Sequence, residues 1–181
     1  SKVCCESDGN IVAIVNVKNF GDVAGKEVVQ LYYSAPQGLL GKPSRELCAF
    51  KKTKLLAPNE IETLVMSFNI NDMASFDDLG KVQKSAYVLE KGTYNFYLGT
   101  SVRDAEKLDY EYIVEENTVV EQLSDWCKPF KLAKRMLADG TYEELPQGEE
   151  TYLYGINEPT DAKAPEAVVP FDKVGEEITL D

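Results

Sequence analysis

Residues 15–33 constrain the fold more than any other stretch, because they predict a strand, a turn and a second strand in direct succession. Val15 and Val17 alternate with polar residues, which is the period-2 pattern of a half-buried strand. Gly25 allows backbone angles that a Cβ atom forbids, so it favours a turn before the next strand. Residues 28–33 then form a nearly continuous β-branched and aromatic run, typical of a strand covered on both faces.

Short segments of this kind recur along the chain and predict seven strands, at residues 11–18, 26–33, 45–52, 61–70, 87–89, 93–99 and 108–114. Turn residues separate them at intervals of about 8–12 positions, and no stretch has a convincing helical period. The pattern predicts an all-β fold, a fibronectin III or immunoglobulin-like sandwich of about seven strands. The Cys…Trp…Cys core of true immunoglobulin domains is missing, since the single Trp lies at position 126, so we favour the fibronectin III form.

The character of the sequence changes after residue 117, and we divide the chain there. Residues 1–117 are predicted to form the sandwich, and residues 118–181 an extension. Within the extension, the Asp139-Gly140 pair predicts a hairpin near 135–145. From Pro146 onward Glu, Gly, Pro and Thr dominate, which is typical of a linker that runs toward another domain.

Composition excludes several classes of function. The formal net charge is −12, with 31 acidic and 19 basic residues, so the chain would be repelled by a nucleic acid or an anionic membrane. The chain has no histidine, which removes Ser-His-Asp and Cys-His catalysis and His-ligated zinc together. We therefore expect no nucleic-acid partner, no membrane partner, no cofactor and no metal.

The cysteines and the start of the chain bear on where the protein works. Cys4, Cys5, Cys48 and Cys127 have neither metal-ligand spacing nor the density of a disulfide framework. We interpret them as buried or incidental thiols and favour a reducing, cytoplasmic compartment. The chain begins at Ser1 without an initiator Met or a signal-peptide pattern, and we expect it to start inside a longer protein.

Several motifs give the chain a family resemblance over roughly residues 11–115. Besides residues 15–33, they are Pro43 to Lys52, Leu56 to Glu60 (with Asn59 where the family usually has Gly), Leu89 to Tyr94, Leu98 to Ser101, and Arg103-Asp104. In this order they closely resemble the fibronectin III-like domain of glycoside hydrolase family 3, the β-glucosidase and β-xylosidase family.

The resemblance implies a division of labour. In that family a (β/α)8 barrel and an α/β sandwich build the active site, and the fibronectin-like domain packs against them. It implies a parent enzyme that hydrolyses terminal β-D-glucosides or related β-glycosides with retention, through an Asp nucleophile outside this chain. The fibronectin-like domain usually comes last; because about 65 residues follow it here, we expect the rearranged order, with the α/β sandwich first and the barrel last. The chain is then a non-catalytic accessory domain, and a stand-alone carbohydrate-binding or adhesion module is the alternative.

Two sets of carboxylates are candidates for catalysis or metal binding. The tripeptide Ser124-Asp125-Trp126 resembles the family's nucleophile motif, but it does not follow an apolar barrel strand. We interpret it as a coincidence in which Trp126 anchors the extension. Asp72, Asp77 and Asp78 lack calcium-loop spacing, so we expect a solvated loop rather than a cation site. We predict no catalytic, cofactor-binding or metal-binding residue in the chain.

Aromatic and basic residues are candidates for binding. Four aromatic residues could form a platform on which a sugar stacks, but we favour a place in the core or in a domain interface for them. They are Tyr94, Phe96, Tyr110 and Tyr112. Four cations are candidates for an anion site, and we favour edge-strand charges or partners for acids on a neighbouring domain: Arg45, Lys51, Lys52 and Lys54. We also expect residues 28–33 to expose an apolar patch that a catalytic domain, or the chain's own extension, covers.

Overall fold

The computed structural model describes residues 1–124 and 132–146, and their regular secondary structure is almost entirely antiparallel β-sheet. A short 3₁₀ helix spans Ile70–Met73. The described strands are β1 (Lys2–Cys5), β2 (Asn10–Lys18), β3 (Val28–Ser34), β4 (Glu46–Lys52), β5 (Ile61–Asn69), β6 (Ser75–Asp77), β7 (Ala86–Leu89), β8 (Gly92–Gly99), β9 (Glu106–Val114), β10 (Thr118–Gln122), β11 (Lys134–Met136) and β12 (Tyr142–Glu144). No helix among the described residues is long and apolar enough to cross a membrane.

Two sheets pack face to face and enclose the main core. One has the strand order β1-β2-β5 and the other β4-β3-β8-β9. Alternate residues of each strand point inward, so Leu64, Met66 and Phe68 of β5 lie in one apolar cluster with Tyr94 and Phe96 of β8. This arrangement confirms the predicted all-β sandwich, and all seven predicted strands are present within a few residues of their predicted ends.

The structure adds three strands that the sequence patterns did not predict, β1, β6 and β10. They are three to five residues long, too short for an alternation to stand out. β6 and β10 flank β7 in a small third sheet. Below it, Ala86 and Val88 of β7 form a second apolar cluster with Leu40. β10 begins at Thr118, beyond the predicted end of the sandwich at residue 117, and it pairs with β7; the boundary itself stays a prediction.

Two turns have the backbone that their residues favour. Asn59 adopts a φ of 65°, the left-handed conformation expected of an Asn in this turn. The predicted hairpin forms from β11 and β12, whose register pairs Lys134 with Glu144. In its turn Gly140 has a φ of 84°, and the Gly140 N–H donates to the Leu137 carbonyl at 3.0 Å.

Candidate functional site

A buried ion pair fixes the loop between β3 and β4. Glu90 follows β7, and its carboxylate pairs with the ammonium group of Lys42; the two side chains are 3% and 1% exposed. The same carboxylate accepts backbone N–H bonds from Leu39 at 2.7 Å and from Leu40 at 3.2 Å. Lys42 also donates to the Pro36 carbonyl at 2.8 Å. The loop over residues 36–42 is therefore tied to one carboxylate, and we call it the Glu90 loop.

Two glycines make the close packing of the Glu90 loop possible. A Cβ atom at Gly38 would lie 2.5 Å from Glu90 Oε1. At Gly92 the φ is 140°, and a Cβ atom there would lie 2.6 Å from the Cβ of Pro36. Such distances are well inside van der Waals contact, so a side chain at either position would push the loop away from Glu90.

Asp77 organises the loop between β6 and β7 from a fully buried position. Its Oδ1 accepts from the backbone N–H groups of Gly80 and Lys81, at 2.7 and 3.0 Å, and its Oδ2 from those of Val82 and Gln83, at 2.6 and 2.8 Å. Burial acts to raise the pKa of this carboxyl, but the four N–H groups stabilise the anion more, so the pKa lies below its ordinary value.

The other two candidate carboxylates have separate local partners. Asp72 accepts from the backbone N–H of Asn69 and completes a capping box at the 3₁₀ helix. Asp78 forms an ion pair with Arg135, Oδ1 to Nη1, at 3.3 Å. In the described part of the chain, no group of three or more Cys, Asp or Glu side chains is arranged to hold a metal ion.

The hairpin of β11 and β12 is attached to this end of the sandwich by charges. Besides pairing with Asp78, Arg135 pairs with Glu143 across the hairpin at 2.9 Å. Lys81, in the loop organised by Asp77, also pairs with Glu143. Hydrogen bonds from Lys81 and from Arg135 hold the pKa of the Glu143 carboxyl below its ordinary value. A cleft of about 310 Å³ separates the hairpin from the Glu90 loop.

The four candidate aromatic residues belong to the interior. Tyr94 and Phe96 are fully buried, and Tyr110 and Tyr112 pack against the same core from β9. The ring centroid of Phe96 lies 5.6 Å from that of Tyr110. Burial raises the pKa of the Tyr94 hydroxyl to about 12. Tyr94 and Phe96 are therefore not free to stack on a sugar, and their positions agree with the favoured core interpretation, whereas Tyr110 and Tyr112 are only partly buried.

The four candidate cations are not brought together as an anion site. Arg45 lies 4.0 Å from the ring centroid of Tyr97 and donates to backbone carbonyls of the loop before β9. Lys51 donates to the Val65 carbonyl at 3.1 Å, on the edge strand β5. Lys54 pairs with Glu60 at 2.6 Å. Lys52 is exposed at the end of β4.

The expected apolar patch on β3 is not found there. Tyr32, which points outward from β3, is only 7% exposed. Its cross-strand neighbours, Leu47 on β4 and Tyr97 on β8, flank it in the same sheet. The nearest large exposed apolar side chains of that face are on β4, where Leu47 is 49% exposed and Phe50 is 68% exposed. Covering by side chains within the sheet explains the double-sided apolar character of residues 28–33.

The loop after β2 presents apolar side chains on a well-bonded backbone. The Asn19 side chain donates to the carbonyls of Val23 and Leu56, both at 2.9 Å, and accepts from the Gly21 N–H at 2.9 Å. Phe20 and Val23 nevertheless remain 82% and 79% exposed. Because its backbone is already ordered, this apolar loop has little further conformational entropy to lose when it contacts a partner.

The structure describes only some of the cysteines and only one residue of the Ser124-Asp125-Trp126 tripeptide. Cys4, Cys5 and Cys48 are free thiols. Cys48 donates to the Leu31 carbonyl, and burial raises the pKa of its thiol to about 12. Ser124 is exposed at the end of the described segment, whereas Asp125, Trp126 and Cys127 lie outside the described residues.

Comparison with known proteins identifies the domain. Residues 27–102 match the family model of the fibronectin type III-like domain. The chain is 58% identical over 144 residues to Beta-glucosidase A of Butyrivibrio fibrisolvens, covering 80% of this chain and 17% of that protein. A solved β-glucosidase from Paenibacillus barengoltzii superimposes with a TM-score of 0.72 at 41% identity, covering 83% of this chain and 18% of that one. The chain carries a fibronectin type III-like domain, and it is similar to the matching segments of these β-glucosidases.

The extent of these matches shows what share of its relatives the chain spans. A β-glucosidase of Ruminococcus albus is 43% identical over 145 residues, covering 78% of this chain and 15% of that protein. This chain therefore spans less than a fifth of the length of the relatives it matches, and in those relatives the matching segment is one part of a longer protein. Matches of 144 and 145 residues are longer than the predicted sandwich of 117, so they include part of the extension.

Sequence patterns assigned no role to Lys42, Arg135 or Glu143, and they included Glu90 only within the Leu89 to Tyr94 motif, although these residues organise this end of the domain. One signal was available for Glu90, because it is a charge directly after a buried strand and before Gly92. Arg135 and Glu143 are close in sequence, but their partners in the sandwich are far away: Arg135 and Asp78 are 57 residues apart, and Lys81 and Glu143 are 62. Lys42 and Glu90 are 48 residues apart.

Proposed function

We propose that this fibronectin type III-like domain is non-catalytic and buttresses the catalytic domains of a retaining β-glucosidase-type hydrolase. The partners are the (β/α)8 barrel and the α/β sandwich of the same polypeptide. The observation that carries the proposal is the use of Asp77, whose buried carboxylate is saturated by four backbone N–H groups. The most buried candidate for chemistry is therefore occupied in holding a loop.

The requirements of glycoside hydrolysis support this role. A retaining enzyme needs two carboxyl groups about 5 Å apart, one of which acts as an acid because its pKa is raised. The pKa of Asp77 is lowered instead. Glu90 is bonded to Lys42 and to two backbone N–H groups. The nucleophile of the parent enzyme is then an Asp outside this chain, and its substrates are terminal β-D-glucosides or related β-glycosides.

The domain boundaries and their order are part of the same proposal. We take residues 1–117 as the sandwich and 118–181 as an extension that leads toward a following barrel. The ion pairs of Arg135 and Lys81 support the view that the hairpin packs on the sandwich and belongs to it rather than to the next domain. The length of the matches to the two curated relatives is consistent with that, because they too include part of the extension.

Assays on an aryl β-glucoside test the proposal. We expect hydrolysis by the full-length polypeptide and none by the 181-residue chain, which should also fail to bind a soluble glucan. Asp125→Asn is expected to leave the full-length activity within about twofold, since the tripeptide is interpreted as a coincidence. Turnover by the chain alone that Asp125→Asn abolishes would refute the non-catalytic role. Glucan binding by the chain would favour the stand-alone carbohydrate-binding module.

A further inference from the structure

The outer face of the sheet β1-β2-β5 lacks acidic residues, which is unusual in a chain of net charge −12. Cross-strand partners in an antiparallel sheet point to the same side, so the register identifies the outward residues. They are Lys2, Cys4, Asn10, Val12, Ile14, Asn16, Lys18, Ile61, Thr63, Val65, Ser67 and Asn69. None is Asp or Glu. Acids lie only at its borders: Asp8 accepts from the Asn10 side chain at 2.7 Å, Asp72 accepts from the Asn69 N–H at 3.0 Å, and Glu60 precedes Ile61. We call this surface the acid-free face.

Exposed apolar side chains occupy the middle of the acid-free face. Ile14 and Val65 are direct cross-strand partners and are 39% and 49% exposed. Ile61, paired with Lys18, is 57% exposed. The ammonium group of Lys18 lies 4.8 Å from the ring centroid of Phe20, so the apolar surface continues onto the rigid loop after β2.

The outer face of the opposite sheet has a different character. Its edge strand β9 carries Lys107, Asp109 and Glu111 on the solvent side, and Lys107 pairs with Glu111 at 2.9 Å. Mixed charges of this kind are typical of a solvated edge strand. The two outer faces therefore differ, and only one combines exposed aliphatic side chains with lysines and no carboxylate.

Dimensions are consistent with an inter-domain contact. At about 3.4 Å per residue, β2 and β5 with nine residues each are about 30 Å long, and β1 with four residues is about 14 Å long. With each strand about 4.8 Å wide, the acid-free face offers about 350 Å² on one side, without counting Phe20. Inter-domain interfaces within one chain bury roughly 600–1,500 Å² over both sides, so this face matches the low end of the range.

We propose that the acid-free face docks onto the catalytic part of the same polypeptide, at an apolar surface bordered by carboxylates that face Lys2 and Lys18. This inference rests on the proposed function and names the surface that carries it. Elsewhere on the domain the excess of acidic residues repels an acidic partner. On this face the lysines attract one, and the aliphatic side chains carry no charge that must be desolvated on burial. A covalent link between the domains supplies the high effective concentration that such a small interface requires.

Hydroxyl-radical footprinting of the full-length polypeptide tests the assignment directly. We expect Ile14 and Val65 to be protected despite their exposure in this domain, while Leu47 and Phe50 on the other sheet stay reactive. Protection of Leu47 and Phe50 instead would overturn the docking face and leave the accessory function intact. Protection at no residue of the domain would contradict the proposed function as well. Protection that is lost on dilution would assign the face to a second copy of the chain and overturn the proposal.

A matched pair of substitutions provides a second measurement. Ile14→Glu places a carboxylate in the proposed interface and is expected to lower the thermal midpoint of full-length aryl β-glucosidase activity by roughly 5 °C or more. The control, Ile113→Glu, makes the same change at a strand position of the opposite outer face that is 59% exposed. We expect it to change the midpoint by about 1 °C at most. Equal shifts for the two variants, or a larger shift for Ile113→Glu, would overturn the docking face.

Discussion

Replacing Glu90 by Gln is the most informative single perturbation of this domain. Glutamine has nearly the same shape, but it leaves the ammonium group of Lys42 buried without a counter-charge, since that side chain is only 1% exposed. It also weakens the acceptor for the backbone N–H groups of Leu39 and Leu40. Removing one partner of a buried ion pair typically costs about 3–5 kcal/mol. Against a total stability of roughly 5–15 kcal/mol, such a loss is large.

Urea denaturation of the 181-residue chain at neutral pH measures the effect. We expect Glu90→Gln to lower the free energy of unfolding by about 3 kcal/mol or more. The double variant Lys42→Met/Glu90→Gln should recover part of that loss, because it no longer buries an unpaired charge. Lys107→Met is the control, since it breaks an ion pair whose partners are about half exposed, and we expect no change in the urea midpoint. A loss below about 1 kcal/mol for Glu90→Gln would refute the assigned role of the pair.

Two further predictions concern the loops on the same side of the domain. Gly38→Ala should destabilise the chain by about 1–3 kcal/mol in urea denaturation, because its Cβ atom would lie 2.5 Å from Glu90 Oε1. Gly25→Ala is the control and should cause no such loss: contrary to the turn expectation, Gly25 has no positive φ, and its Cβ atom would meet nothing within 4 Å. Equal losses would contradict the steric reason. Asp77→Asn should destabilise the chain at pH 7, because the amide N–H₂ would face two backbone N–H donors. Since the folded pKa of Asp77 is lowered, its contribution is present above the unfolded value of about 3.9 and is lost as pH falls through the folded pKa. The difference between the wild type and Asp77→Asn should therefore shrink below about pH 4, and a difference that grows there would contradict the assignment.

Most of the sandwich was predictable because its strands bury one face. Leu64, Met66 and Phe68 alternate with exposed residues in β5, and this period alone places them in the core. β1, β6 and β10 were not predicted because strands of three to five residues contain too few alternations. Their pairing partners in β2 and β7 stabilise them, and that information is not local.

The candidate site shows the same division. The core interpretation of Tyr94 and Phe96 followed from spacing and agrees with their full burial. The prediction that Asp77 is exposed to solvent was wrong, because its carboxylate is buried and accepts four backbone hydrogen bonds. A carboxylate in a polar stretch of sequence is predicted to be exposed. Its burial here depends on the path of the following loop, which directs backbone N–H groups toward it.

By itself, the sequence determined that this chain forms an antiparallel sandwich of the fibronectin type III-like kind, because alternation, turn residues and the ordered motifs are properties of residues close together in the chain. Tertiary structure alone decided which charges are buried together, as for Lys42 and Glu90, and which sheet face is left apolar and free of acids. It also decided that the outward side of residues 28–33 is covered from within its own sheet. The physical reason is that burial and charge pairing depend on groups distant in sequence, whereas strand formation depends on neighbours.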